Sequence, residues 1–159
     1  MSSTNTNTTF PLKKVLVAFD GSDNAGRALE AAKSLAKQNT AELIVVHVVS
    51  ERPPAVYSPI GMNMPTTDYQ AYFKQIEDQG NKLVNQAVEI AKAQGIRARG
   101  VVIATVSSTV ESILDTCKNE SADLIVVGTR GLGGFKKLLL GSVSSGVLSH
   151  ASCSVLVVR

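Results

Sequence analysis

Residues 128–142 read GTRGLGGFKKLLLGS: five glycines in fifteen residues, with Arg130, Lys136 and Lys137 among them and a Gly-Ser pair at the end. Glycines let backbone amides close on a ligand because no Cβ stands in the way. Gly141-Ser142 opens a helix, so the first N–H groups lack internal partners and the terminus carries roughly half a positive charge. Ser142 adds a hydroxyl donor, and the three cations add charge. This is the chemistry of anion binding, and of phosphate in particular. The same composition also describes a mobile surface loop ending in a serine N-cap, with Lys136 and Lys137 as a solvated face. On pattern alone the two readings stand level.

Neither familiar phosphate motif fits. A P-loop needs four residues between its glycines and then Gly-Lys-Ser/Thr. Here Lys136 follows Phe135, and Ser142 follows Gly141 with no lysine between. The dinucleotide fingerprint Gly-x-Gly-x-x-Gly is half met by Gly131 and Gly133, but Lys136 stands where the third glycine belongs.

A ligand loop has to be held by regular elements. Five apolar, β-branched runs are available: 14–20 (KVLVAFD), 41–49, 98–104, 122–128 and 154–159. They are nearly continuous rather than alternating, as strands buried on both faces are, which predicts a parallel sheet covered by helices. Helical spacing fills the gaps. Ala25, Ala28, Leu29, Ala32, Leu35 and Ala36 recur over 24–37, behind an N-cap at Ser22 or Asp23. A long helix is expected over about 67–94, with Tyr69, Phe73, Ile76, Leu83, Ala87 and Ile90 facing inward and Gly95 as its stop. Ser108 with Glu111 forms a capping-box pattern ahead of Val110, Ile113, Leu114 and Cys117. A last helix starts near Ser142 and carries Val143, Val147 and Leu148. The order β-α-β-α-β-α-β-α-β, with right-handed crossovers, predicts an α/β fold with an open five-stranded parallel sheet and helices on both faces. Residues 50–68 hold four of the five prolines, which predicts a long loop leaving the ligand edge of such a sheet.

The spacing within the glycine stretch is more specific than its composition. Gly128, two residues, Gly131, nine residues, then Gly141-Ser142 resembles the Gly-x2-Gly-x9-Gly-Ser/Thr signature of the ATP-binding branch of the universal stress protein family. The resemblance runs from Leu12 to Arg159 and includes VLVAFDGSDNAGRAL, LIVVHVV, ADLIVVGTRG and GSVSSGVLSHASCSVLVV, in that order. It implies a flavodoxin-like sheet, of the adenine nucleotide α-hydrolase kind, in the order 3-2-1-4-5. Its first and fourth strands then flank the switch point where open α/β sheets bind ligands.

Position by position, the resemblance implies that Ala18, Phe19 and Asp20 line the crevice, with the Asp20 carboxylate near the ribose or a metal. The Val48 backbone would meet the adenine edge. Gly128, Arg130 and Gly131 would hold the ribose and inner phosphates, and Gly141, Ser142, Val143 and Ser144 the outer ones. The implied cofactor is ATP or another adenine nucleotide, with Mg²⁺ or Mn²⁺ accompanying a triphosphate. The implied assembly is a homodimer through the C-terminal strand. Against this, Asp20 before Gly-Ser also reads as a turn or cap residue. The chain departs from the family at Ser107-Ser108-Thr109, where a Gly-x-Pro turn is common, and Gly133-Gly134 adds flexibility that the signature does not ask for.

The function expected is a nucleotide-dependent regulatory module in a stress response. Slow ATP hydrolysis or phosphotransfer, and a structural dimer without nucleotide, are the alternatives. No catalytic residue is assigned, since no general base follows from the motif and the Walker lysine is missing. Composition narrows the field further. In 159 residues, 44% are apolar and 18% charged, as in a globular chain. No apolar run approaches the roughly 20 residues of a membrane helix. Residues 1–11 read as a disordered polar tail without signal-peptide character, and 12–159 as one domain placed in the cytoplasm. A net charge of +3 without a basic run, and 4% aromatic residues, argue against nucleic acid as a partner. Cys117 and Cys153 lie far apart and match no zinc or redox spacing, so Cys117 reads as a small buried hydrophobe. His47, within an apolar strand, reads as a satisfied core histidine, and His150, near a helix C-terminus, as structural.

Overall fold

A computed structural model describes residues 11–49, 66–105, 107–130 and 140–159. The tail at 1–10, most of the proline-rich segment (50–65) and residues 131–139, with Gly131, Gly133, Gly134, Lys136 and Lys137, lie outside the described residues. The elements are β1 (Lys14–Ala18), α1 (Asp23–Asn39), β2 (Glu42–Val49), α2 (Thr66–Ala93), β3 (Ala98–Ala104), α3 (Thr109–Glu120), β4 (Leu124–Gly128), α4 (Ser142–His150) and β5 (Ser154–Val158). All strand pairs are parallel, in the order β3-β2-β1-β4-β5. This is the fold that the sequence predicts.

The period of two along each strand divides the core. Val15, Val17, Leu43, Val45, Leu124 and Val126 face α1 and α2. Leu16, Ile44, Val46, Ile125 and Val127 face α3 and α4. The strands β1, β2 and β4 are therefore apolar on both sides, whereas β3 and β5, at the edges, are only partly covered. On β5, Leu156 is 36% exposed.

Local chemistry sets the helix limits. Ser22 caps α1, its Oγ accepting from the Ala25 N–H at 3.2 Å. The helix ends where Thr40 turns left-handed at φ 54°. Ser108 caps α3 in the same way, accepting from the Glu111 N–H. The inward stripes of two helices differ from expectation. On α2 the buried residues are Gly80, Val84, Ala87, Val88 and Ala91, while Ile90 is 53% exposed. The cause is close packing. A Cβ on Gly100 of β3 would lie only 2.1 Å from Val84 Cγ1, so this helix rides low over the sheet, where small side chains fit. On α4, Leu148 is exposed, and Ser144 is buried in its stead.

The N-terminal edge of the sheet is tied by charge. Arg99 Nε bonds Glu42 Oε1 at 2.8 Å, and its guanidinium also bonds Glu120. Lys14 Nζ reaches Glu120 Oε2 at 3.7 Å, and Asp123 Oδ2 accepts from the Lys13 and Lys14 N–H groups at 2.7 and 2.9 Å. The Arg99 hydrogen bond, more than any other cause, holds the Glu120 carboxyl below its usual 4.5. A carboxyl whose folded pKa is depressed stabilises the fold above its unfolded pKa. It loses that contribution as pH falls through the folded value. Glu120→Gln will therefore cost about 0.5–1 kcal/mol at neutral pH, a figure reduced by solvent screening. The gap to wild type will close below pH 4.5, as read by urea melts across pH 3–7.

Candidate functional site

The opposite, C-terminal edge of β1, β2 and β4 collects most of the residues that the glycine signature singles out. After Ala18, the Phe19 N–H bonds Val46 O at 2.8 Å, which holds the exit of β1 against β2. Phe19 O accepts from His47 Nδ1 at 2.8 Å, so His47 is a satisfied structural histidine, as its place in an apolar strand predicts. Asp20 Oδ1 accepts the Ser22 N–H at 3.0 Å. The carboxylate thus shapes the turn into α1, the role weighed for it beside ligand contact. Val48 lies near the end of β2, partly buried on the α3/α4 side.

From β4 the chain passes through Gly128, Thr129 and Arg130. Gly128 carries an unexpected constraint. A Cβ there would stand 2.8 Å from both C and O of Asn24, in the first turn of α1. Its small size is required by helix packing, a demand separate from any ligand.

Thr129 is the anchor of this edge. Its N–H bonds Val158 O at 2.7 Å, and its carbonyl accepts from the Gly141 N–H at 2.6 Å and from Ser144 Oγ at 3.0 Å. The two ends of the glycine-rich segment are thereby brought together. Gly141 is the N-cap residue of α4 and offers no side-chain acceptor. The first N–H bonded within the helix is that of Ser145, to Gly141 O at 3.0 Å. The N–H groups of Ser142, Val143 and Ser144 thus have no partner within the helix. Ser142 is exposed, whereas Val143 packs partly against the α3/α4 core. Ser144 is 2% exposed, and its hydroxyl also reaches Gly141 O at 3.0 Å. That hydroxyl is committed to the scaffold, so only its backbone remains for a ligand, a narrower role than the signature implies. Gly131 lies outside the described residues.

Beside this edge, on the α1 side, an open cleft of about 490 Å³ is lined by Asn24, Arg27, Thr129, Arg130 and Arg159. It carries three guanidinium groups and no acidic side chain, and Arg27 Nη2 bonds Asn24 Oδ1. Arg27 and Arg159 were not among the residues predicted from sequence. The only sequence signal for them is positional: one lies in the first turns of α1, the other at the exit of β5. The arginines and the start of α4 offer positive charge to an anion at this end of the sheet, near the carboxylates of Asp20 and Asp23 in the turn into α1. No group of three or more His, Cys, Asp or Glu side chains able to hold a metal occurs among the described residues.

Comparison with known proteins agrees with this architecture. Residues 11–159 match the sequence profile of the universal stress protein family. The chain is 37% identical over 147 residues to the universal stress protein YxiE of Bacillus subtilis, covering 92% of this chain and 98% of that one. Among solved structures, UspA of Lactobacillus plantarum shares the fold, with a TM-score of 0.78, 22% identity, and coverage of 95% and 100% of the two chains. A universal stress protein solved in complex with cAMP aligns with a TM-score of 0.65 and 25% identity, over 94% of this chain and 98% of that one.

Proposed function

The chain belongs to the universal stress protein family, and on that premise we propose that it binds an adenine nucleotide at the C-terminal edge of β1, β2 and β4 and serves as a nucleotide-dependent regulatory module in the stress response. The observation that carries this reading is the start of α4. Its first N–H groups lack helical partners, the N-cap residue Gly141 offers them no side-chain acceptor, and the Gly141–Thr129 bond holds them against the end of β4. The relative solved with cAMP supports adenine as the base.

In this arrangement Ala18, Phe19 and Asp20 form one wall and the Val48 backbone meets the adenine. Gly128, Arg130 and Gly131 attend the ribose and inner phosphates. The backbones of Gly141, Ser142, Val143 and Ser144 take the outer phosphates. Mg²⁺ or Mn²⁺ enters with a triphosphate, with Asp20 as the candidate carboxylate.

Calorimetric titration of dialysed protein tests the reading. ATP will bind saturably in the presence of Mg²⁺, about tenfold or more tighter than AMP, because only the longer ligand reaches α4. Absence of saturable binding by any adenine nucleotide at millimolar concentration overturns the reading.

The homodimer is part of the same proposal. The exposed edge of β5, with Leu156 open, supports pairing with a second copy, since an uncovered apolar edge is otherwise a liability. Sedimentation will show a dimer, and monomer alone at all concentrations removes this part.

A further inference from the structure

The two cysteines, 36 residues apart in sequence, meet in the fold. Cys117 Sγ and Cys153 Sγ lie 3.1 Å apart as free thiols in hydrogen-bond contact, a proximity that their spacing along the chain does not show. That is about 1 Å beyond a covalent S–S bond, roughly 2.05 Å. Cys117 is buried in the C-terminal turn of α3, where its carbonyl accepts the Ala122 N–H at 2.9 Å and its Sγ lies 3.7 Å from Ala122 O. Cys153 is half-buried and immediately precedes β5. Both sulfurs sit toward the start of β4 and β5, where Leu124 pairs with Ser154, at the end of the sheet away from the nucleotide edge.

We propose that Cys117 and Cys153 form a reversible intrachain disulfide that responds to peroxide and clamps the β4–α4 unit between α3 and β5. The asymmetry of the pair assigns the roles. Burial, first among the causes, pushes the Cys117 thiol up to about 12, which keeps it protonated and inert on its own. The more accessible Cys153 meets the oxidant. Its thiol releases a proton, the thiolate attacks one peroxide oxygen, the O–O bond breaks, and the other oxygen leaves as hydroxide that takes up the released proton to become water, giving the sulfenic acid. Cys117 sulfur then attacks Cys153 sulfur. The S–S bond forms, the S–O bond breaks, and the hydroxyl leaves as a second water with the Cys117 proton. Each sulfur loses one electron, and the two peroxide oxygens gain the pair. A disulfide or thiol reductant reverses the change by exchange.

The test uses the full chain, fully reduced and then treated with hydrogen peroxide. Both free thiols will disappear, the intact mass will fall by about 2 Da for the two hydrogens lost, and dithiothreitol will restore them. A digest will contain one cross-linked pair of peptides bearing Cys117 and Cys153. Closing this loop will raise the melting temperature by roughly 5–10 °C, an increase absent from Cys153→Ala. In Cys117→Ala, dimedone will trap the Cys153 sulfenic acid. Should either variant fold poorly, the wild-type digest alone decides. Two thiols surviving peroxide, a sulfinic acid without cross-link, or a disulfide joining two chains overturns the proposal. Nucleotide titration of both redox forms keeps this result separate from the site at the other end of the sheet.

Discussion

Gly128→Ala will destabilise the domain by about 2–3 kcal/mol, although the new methyl adds apolar volume and strand propensity. The added carbon meets backbone atoms of Asn24 at 2.8 Å, and a helix backbone cannot rotate aside as a side-chain tip can. The first turn of α1 has to lift, carrying the Ser22 cap and the Asp20 turn with it. Thermal melts will show a fall of roughly 4–12 °C. Gly26→Ala is the matched control. It lies in the same helix with nothing within 4 Å of its would-be Cβ, and will gain about 0.5–1 kcal/mol from helix propensity. A Gly128→Ala protein that melts like wild type would mean that the glycine is kept for a ligand alone.

Ser142→Glu will separate binding from folding. Ser142 is exposed in the first turn of α4, where a carboxylate complements the helix dipole and stabilises the helix by about 0.3–1 kcal/mol. The same charge occupies the field proposed for the outer phosphates. Loss of one charge-assisted contact, with repulsion added, is worth about 2–3 kcal/mol, so ATP affinity will fall roughly 30- to 150-fold. AMP, which does not reach α4 in this arrangement, will lose much less. The pattern to look for is an unchanged or raised melting temperature together with a selective loss of ATP binding in the calorimeter. Equal losses for ATP and AMP, or none for either, would remove α4 from the site.

The sheet was legible because its signal is strong. Runs such as Leu43–Val46 and Leu124–Val127 are apolar without interruption, and only a strand covered on both faces needs that. The strand order came from the family resemblance, and the pairing agrees with it. Helix stripes were legible only where large residues do the packing. Ile113 and Cys117 of α3 point inward as expected. On α2 Ala87 faces inward as expected but Ile90 does not; the buried side is completed by Val84, Val88 and Ala91, because Gly100 across the interface lets the helix sink. That choice depends on two elements at once and has no local signal.

The site divides in the same way. The Gly141-Ser142 helix start was readable from residue type. The commitment of the Ser144 hydroxyl to Thr129 O was not, nor was the contact of Gly128 with Asn24. Arg27 and Arg159 reach one cleft from separate elements, and the two thiols meet across 36 positions. Each is a fact of tertiary geometry that spacing along a chain does not encode.

The Thr129 carbonyl has a consequence for how this protein can change. By receiving both the Gly141 amide and the Ser144 hydroxyl, it fastens β4 to α4 whatever chain runs between them. With the ends fixed, lengthening the intervening segment costs little, about 0.6 kcal/mol for each doubling. The segment is then a replaceable cassette. Exchanging or extending its residues leaves the frame on either side in register, so change in this segment need not disturb the fold.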